Sequence, residues 1–185
     1  MSEIEPQFKT LEFVNQYEDK FKLRDLNCFL RGWAILMGSF EIKYSDYFLF
    51  LETFYKIYML DKSYYLDYAN EFNEFEHCYD KNLKSLFGIS IRRINCIDEL
   101  DFIGNIEEQI NLGRPVVVPI NLYYLNYSKN YRSKVHYHYM LLKGYDRLKE
   151  RFIILDDIHI SEDDNTKYKD FYLNYFEMYN GYAIR

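Results

Sequence analysis

An antiparallel β-hairpin is predicted from the stretch His136-Tyr-His-Tyr-Met-Leu-Leu-Lys-Gly-Tyr145, the charged connection Asp146-Arg-Leu-Lys-Glu150 and the second run Arg151-Phe-Ile-Ile-Leu-Asp-Asp157. Both flanking runs are rich in aromatic and branched aliphatic residues, which favour strands, and the short polar connection suits a hairpin. In an antiparallel hairpin the start of the first strand lies beside the end of the second. We therefore expect His138 and Asp156 to lie close together.

Further strands are predicted on both sides of this hairpin. Val116-Val-Val-Pro-Ile-Asn-Leu122 has the β-branched residues of a strand, and its Pro119 indicates an edge position or a bulge. This strand is expected to begin the sheet. Residues 88–94 alternate apolar and polar side chains like an exposed strand. A short helix is predicted from Tyr168 to Tyr179, after which residues 181–185 return as an edge strand.

The N-terminal half of the chain is predicted to be helical. From Asn27 onward, apolar residues recur every three or four positions, and Gly38 is placed to end this helix. One or two helices with an aromatic face are predicted over residues 45–75, and residues 97–112 repeat apolar side chains at helical spacing before Gly113. The predicted fold class is α+β, with a helical N-terminal half packed on an antiparallel sheet in the C-terminal half.

Composition and charge limit the class of protein. The 185 residues are 49% apolar and contain no low-complexity stretch, which predicts a single globular domain over residues 1–185. The formal net charge is −6, from 29 acidic and 23 basic residues. Nucleic acid is therefore not expected as a partner, because neutralising its phosphates requires a basic surface.

Neither export nor membrane insertion is expected. Residues 1–7 are acidic and lack an apolar core, so they resemble neither a secretory signal nor a transit peptide, and a cytoplasmic location is predicted. The most apolar stretch, Tyr47 to Leu60, is interrupted by Glu52 and Lys56 and is too short to span a membrane.

One of the three cysteines is a candidate nucleophile. Their odd number and spacing support neither a disulfide framework nor a zinc finger, so free thiols are expected. Cys28 follows Asn27, a good helix N-cap, at the predicted start of the first helix. The amide hydrogens and the helix dipole at that position favour a thiolate and lower the pKa of the thiol. The alternative is a small, buried and unreactive cysteine.

His138 and Asp156 complete a possible triad, in the order Cys, His, Asp of papain-like enzymes. The imidazole would act as general base and then as general acid, and a carboxylate bonded to it would fix its tautomer. Asp156 is favoured over Asp157 because it directly follows the apolar run, whereas Asp157 is expected to cap the turn. The alternative for His138 is a histidine that only satisfies a buried hydrogen bond.

A metal site is a competing interpretation of the same region. His136 and His138 lie two apart on a predicted strand, so both rings project from the same face and are able to chelate a metal with Asp156, Asp157 or His159. No second ligand motif accompanies the pair, so neither a metal nor another cofactor is predicted.

Three motifs together, in their order along the chain, resemble one known family. They are Asn27-Cys28 at a helix start, Leu112-Gly-Arg-Pro-Val-Val-Val-Pro-Ile-Asn-Leu-Tyr-Tyr-Leu125, and His138-Tyr-Met-Leu-Leu-Lys-Gly-Tyr-Asp146 followed by a strand that ends in Asp156. This arrangement is similar to the N-terminal domain of butirosin biosynthesis protein H. That family is in turn similar to the bacteriocin-leader cysteine peptidases, so the resemblance, which covers residues 26–157, implies a papain-like fold.

The resemblance also implies an activity. It implies transfer of an acyl group from a carrier-protein thioester, through Cys28, to a small-molecule amine or to water, in the biosynthesis of an antibiotic or another specialised metabolite. Cys28 would be the nucleophile, His138 the base and Asp156 the orienting acid. The carrier would be an acyl or peptidyl carrier protein with a phosphopantetheine arm. The basic run Lys129 to Lys134 is able to meet an acidic carrier or its phosphate, although a solvated loop is the simpler interpretation.

One departure from the leader peptidases concerns the oxyanion site. Those peptidases carry a glutamine upstream of the cysteine, and residues 21–27 contain none. The oxyanion would then depend on the Cys28 backbone amide, with the Asn27 side chain as a tentative second donor. Because amide hydrolysis needs more stabilisation than thioester exchange, an acyltransferase or thioesterase is favoured over a cysteine peptidase or amidase. A noncatalytic binding module with the same fold is the third alternative.

Overall fold

The computed structural model describes residues 6–15, 28–61, 79–157 and 168–182. The chain divides into two compact units. One consists of the residues up to Phe40 together with those from Cys96 onward, and the other spans Glu41–Asn95. All described strands belong to the first unit. The single domain expected over residues 1–185 stays a prediction.

Among the described residues, the sheet of the first unit has five strands: β1 (Phe8–Thr10), β2 (Val116–Asn121), β3 (Tyr137–Asp146), β4 (Arg151–Asp157) and β5 (Tyr168–Asn174). All pairings are antiparallel. β3 is central, with β4 on one edge and with β1 and β2 following each other along the opposite edge. β5 pairs with the outer edge of β4. The predicted hairpin is β3–β4, with Tyr145 opposite Phe152, so that prediction is confirmed.

The hairpin forms the core of this unit, and one glycine lets β1 approach it. The fully buried apolar side chains of the hairpin include Leu142, Tyr145, Phe152 and Ile154. A Cβ atom at Gly144 would collide with the Lys9 carbonyl oxygen and would lie 3.0 Å from Ile153 Cδ1. Gly144 is therefore needed where the backbone of β1 pairs with β3.

α1 (Cys28–Ser39) packs on β3 of this sheet. Every residue of this helix from Leu30 to Gly38 is buried, including the large side chains of Trp33 and Met37. Gly32 faces the sheet, where an added Cβ would lie 3.6 Å from Leu141. The helix begins at Cys28, as predicted, and ends one residue after Gly38.

The second unit is helical in its described part. It contains α2 (Tyr44–Asp61) and a helical stretch over residues 79–87, α3. Aromatic side chains join the two helices, with the rings of Phe50 and Tyr79 separated by 5.5 Å between centroids. Residues 62–75, the rest of the predicted helical region, lie outside the described part of the chain. None of the described helices is both long and apolar enough to cross a membrane.

Two further helices cover the first unit. α4 (Glu99–Asn111) begins at the N-cap Asp98, whose side chain accepts a 2.8 Å hydrogen bond from the Asp101 amide. The predicted end before Gly113 is confirmed, and this glycine has the positive φ, 75°, of a helix terminator. The short α5 (Tyr175–Gly181) follows β5 directly.

Three predictions of local structure are wrong. β1, rather than the strand at Val116, begins the sheet. The first seven residues of the predicted helix over residues 168–179 instead form β5, because β4 offers an edge with which they pair over their full length. Residues 88–94 form no strand, and none of the pairings among the described strands includes them.

The fold class is nevertheless confirmed as α+β. Most helices precede the main hairpin, and the antiparallel sheet occupies the C-terminal half apart from β1. The expected edge position of Pro119 is confirmed as well, because β2 pairs with β3 on one side and forms only the isolated bridge from Ile120 to Tyr182 elsewhere within the described residues.

Candidate active site

Cys28 is the first residue of α1, and its side chain is partly exposed. Its thiol hydrogen-bonds to the imidazole of His138 and to the backbone of Tyr139. Burial raises the pKa of the thiol, but the contacts with His138 and Tyr139 and the nearby Arg31 guanidinium outweigh burial. The pKa of Cys28 is therefore lower than that of an ordinary cysteine, as expected for a nucleophile.

His138 is the second residue of β3, opposite Ile120 of β2, and is 3% exposed. Its Nε2 lies 2.7 Å from Oδ1 of Asp156. Because Nε2 faces this carboxylate, Nδ1 is the ring nitrogen left to contact the Cys28 thiol. The imidazole therefore bridges the sulfur and the carboxylate.

The charges of the three groups are coupled. Burial alone would lower the pKa of His138, but the charge and hydrogen bond of Asp156, together with the Cys28 thiol, raise it to about 10. The pKa of Cys28 moves in the opposite direction. At neutral pH these shifts favour a thiolate beside an imidazolium, the charge state in which a cysteine attacks a carbonyl carbon.

Asp156 is fully buried near the end of β4. Its Oδ1 accepts from His138 and also from the backbone amide of Asp157, at 2.9 Å. Its Oδ2 accepts a 2.6 Å hydrogen bond from the hydroxyl of Tyr127. Contacts on both oxygens restrict rotation of the carboxylate and keep Oδ1 on the imidazole.

Asp157 has a different partner, although it is the next residue and also buried. Its Oδ2 lies 3.3 Å from a guanidinium nitrogen of Arg31, which is three residues after Cys28 on α1. Asp157 therefore joins β4 to the nucleophile helix, and the turn that it is expected to cap lies outside the described residues. Of the two adjacent aspartates, Asp156 is the one whose carboxylate bonds to the His138 ring.

Most of the chain that carries His138 and Asp156 matches a known protein family. Residues 48–157, more than half of the chain, match the family model described as butirosin biosynthesis protein H, N-terminal. The chain belongs to this family. No curated protein and no solved structure matches the chain.

The matched residues of the butirosin biosynthesis protein H family include His138 and Asp156 but begin after α1. The resemblance expected from residue 26 onward is thus shorter at its N-terminal end. The position of Cys28 relative to the other two residues consequently comes from the structure. Family membership gives the coarse class, a domain related to antibiotic biosynthesis, and leaves the reaction to be proposed from the site.

Two side chains at this site were missed in the sequence. Arg31 could have been found, because it lies one helical turn after Cys28 in an otherwise apolar stretch and must therefore be buried beside a partner. Tyr127 gave no comparable signal, since it lies on the connection between β2 and β3 and has no periodic neighbours. Asn27, the tentative oxyanion donor, lies outside the described residues.

The predicted alternative of a metal site has partial geometric support. His138, Asp156 and Asp157 present ligand atoms within 4.8 Å of one another, a group able to hold a metal ion. His136 is exposed, is not part of this group and precedes β3, so the expected chelating pair does not form within the described residues. His159 lies outside those residues. Because Arg31 is ion-paired with Asp157, this arrangement fits a metal poorly.

Proposed function

We propose that this chain is a cysteine-dependent acyltransferase or thioesterase that acts on an acyl thioester bound to a carrier protein, in the biosynthesis of a specialised metabolite. One observation carries the proposal: a partly exposed thiol at a helix N-terminus is hydrogen-bonded to an imidazole, which is hydrogen-bonded to a buried carboxylate. In this proposal Cys28 is the nucleophile, His138 the acid and base, and Asp156 the residue that orients the imidazole.

The first half-reaction follows from the charge state of the pair. The Cys28 thiolate attacks the carbonyl carbon of the thioester and forms a tetrahedral oxyanion. The oxyanion collapses, the bond from carbon to the carrier sulfur breaks, and the imidazolium of His138 gives its proton to the departing thiolate. The products are an acylated Cys28, a neutral His138 and a free carrier thiol.

The second half-reaction reverses the proton transfer. An amine or a water molecule attacks the acyl carbon on Cys28, and His138 takes the proton that the attacking group loses. The bond between the carbon and the Cys28 sulfur then breaks, and the thiolate and imidazolium are restored. Asp156 stabilises the imidazolium in both halves without taking its proton.

Stabilisation of the oxyanion is assigned to the start of α1. The backbone amides in the first turn of a helix have no acceptor within that helix, so they are available to a negative oxygen. The Cys28 amide lies at this position. The Asn27 side chain stays a predicted second donor.

The proposed carrier partner is supported by the connection that leads into β3. Residues 132–137 are all exposed and contain the basic side chains Arg132 and Lys134. Val135 and Tyr137 are 60% and 63% exposed beside them. A basic rim with exposed apolar residues next to His138 fits an acidic protein that delivers a phosphopantetheine arm to Cys28.

The experiment uses an acyl-N-acetylcysteamine thioester, a short mimic of that arm. We expect intact-protein and peptide mass spectrometry to detect one acyl group on Cys28, and we expect Cys28→Ala to abolish both labelling and thiol release. Cys96→Ala is the matched control, because Cys96 is a partly exposed thiol whose pKa is raised by burial and by Asp101. Full turnover by Cys28→Ala would contradict the proposal.

The same reagents separate the alternatives. A peptidase or amidase would cleave peptide substrates in the absence of any thioester. A noncatalytic module would leave Cys28 unlabelled and would show alkylation of Cys28 no faster than that of Cys96 at neutral pH.

A further inference from the structure

Tyr127 reaches the candidate site from a loop rather than from a strand or helix. Its hydroxyl donates to Oδ2 of Asp156 at 2.6 Å, and Oδ1 of the same carboxylate faces His138. Short hydrogen bonds to an ionised acceptor are among the strongest in proteins. Tyr127 and His138 therefore hold the two oxygens of one carboxylate.

We infer that Tyr127 is a positioning residue for the reaction at Cys28, because its hydroxyl fixes the rotation of Asp156 so that Oδ1 stays on Nε2 of His138. The inference rests on the proposed function. It assigns Tyr127 no contact with substrate. It predicts that losing the hydroxyl alone, with the ring kept, loosens the imidazole and weakens its effect on the thiol.

Packing of the aromatic ring sets the position of the hydroxyl. The Tyr127 ring stacks on Phe171 of β5, with centroids 3.8 Å apart and planes inclined by 15°. Phe171 is paired with Ile154 of β4, two residues before Asp156 and hence on the same face of the sheet. Phe171 of β5 therefore holds the Tyr127 ring in the position from which its hydroxyl contacts the Asp156 carboxylate.

The loop that carries Tyr127 is closed at its base. The Leu122 amide donates to the His136 carbonyl at 2.8 Å, and the Asn121 side chain accepts from the amides of Tyr123 and His136 at 3.1 and 3.2 Å. These bonds join the end of β2 to the start of β3. The loop is thereby anchored at His136, two residues before His138. The same hydrogen bonds therefore position the loop that carries Tyr127 and the strand that carries the imidazole.

The hydroxyl is also kept in its donor state. Burial and the negative charge of Asp156 raise the pKa of Tyr127 well above its usual range. Tyr127 therefore remains protonated at any pH at which the enzyme would work. A phenylalanine at this position removes the donor and retains the ring that stacks on Phe171.

The test compares Tyr127→Phe with Tyr131→Phe, which removes a hydroxyl from the same loop away from Asp156. Alkylation of each cysteine by iodoacetamide is followed between pH 5 and pH 10 by peptide mass spectrometry, and Cys96 is the internal reference. The charged and titratable groups that bear on Cys28 are Arg31, His138, Asp156, Asp157 and Tyr168. All of them are retained in both variants.

We expect Tyr127→Phe to move the midpoint of Cys28 alkylation to higher pH, because a less firmly held imidazolium lowers the pKa of the thiol less. Acylation by the thioester should slow about tenfold, the factor for one hydrogen bond to a charged group. Tyr131→Phe and Cys96 should be unchanged. A Cys28 midpoint in Tyr127→Phe equal to that of the wild type would overturn the inference and leave the proposed function intact. If wild-type Cys28 were alkylated no faster than Cys96, both the inference about Tyr127 and the proposed function would be wrong.

Discussion

A buried carboxylate lies near each end of the β3–β4 hairpin, one contributed by α4 and one by β4, and the two have similar hydrogen-bond partners. Near the turn, Glu107 of α4 accepts from the Arg147 guanidinium at 2.8 and 2.6 Å and from the Tyr175 hydroxyl at 2.6 Å. At the open end, Asp156 takes a bond from a ring nitrogen and another from a tyrosine hydroxyl. Each carboxylate thus has one partner that can be cationic and one phenolic donor.

The difference lies in the cationic partner. The guanidinium of Arg147 stays charged at every accessible pH, so the turn end can only hold elements together. The imidazole of His138 is able to lose its proton, and it touches a thiol. A carboxylate paired with an arginine, as at Glu107, only stabilises the fold. A carboxylate paired with a histidine, as at Asp156, is able to support acid and base chemistry. The Cys28 contact is what would make that capability useful.

Removing the charge of Asp156 should have the largest effect on the chemistry. Asp156→Asn keeps the size of the side chain and removes the charge that raises the pKa of His138. We expect the pKa of His138, followed by NMR of its ring protons, to fall, and the rate of Cys28 acylation to fall about a hundredfold. A variant with wild-type acylation would show that His138 needs no carboxylate.

The adjacent aspartate should have a smaller and different effect. Asp157→Asn removes the negative charge that lies 3.3 Å from the guanidinium of buried Arg31 and should destabilise the fold by about 3 kcal/mol in urea unfolding. Acylation of Cys28 in the folded variant should slow by about tenfold or less, because His138 keeps its contact with Asp156. Equal kinetic losses in the two asparagine variants would argue against separate roles for these neighbours.

The pH dependence of the free energy of unfolding tests whether the Cys28 thiolate and the His138 imidazolium form an ion pair. The folded pKa of His138 is raised, so its contribution is fully present below the unfolded value of about 6.5 and is lost as the pH rises through about 10. The folded pKa of Cys28 is lowered, so its contribution is present above about 8.5 and is lost as the pH falls through the folded pKa.

Between pH 6.5 and pH 8.5 these opposite dependences cancel in the wild type wherever folded Cys28 is a thiolate, because a thiolate with an imidazolium binds as many protons as the thiol and neutral imidazole of the unfolded chain. In Cys28→Ala only the histidine remains, and stability should decline from about pH 6.5 upward. The measurement is the free energy of unfolding in urea at several pH values. Parallel curves for the two proteins would mean that no ion pair forms.

The sequence alone predicted the features of the site that depend on local pattern. The hairpin connection placed His138 beside Asp156, and apolar spacing after residue 27 put Cys28 at a helix start. Family resemblance then gave the order of the three residues a chemical meaning. The choice of Asp156 over Asp157 was an argument about where a strand ends, and the structure brings Asp156 to the ring.

Features that depend on pairing between distant residues were not predictable in this way. β5 has the composition of a helix as much as of a strand, and the free edge of β4 decides its structure. Tyr127 lies 29 positions before Asp156, on a loop whose path follows from its closure rather than from any periodicity. Such long-range contacts depend on which strands pair and in which register, and a single sequence does not specify that pairing residue by residue.

The smallest effect on chemistry is expected at the turn end of the hairpin. Glu107→Gln keeps the shape of the side chain and removes the charge that faces Arg147, which is only partly buried, so we expect a loss of about 2 kcal/mol in urea unfolding. Alkylation and acylation of Cys28 should stay within about twofold of the wild type, because the two carboxylates share no partner among the described contacts. If Glu107→Gln slowed the acylation of Cys28 as much as Asp156→Asn does, a change at the turn would have to reach the open end of the hairpin. The proposed difference, a structural role for the Arg147 contact and a chemical role for the His138 contact, would then be wrong.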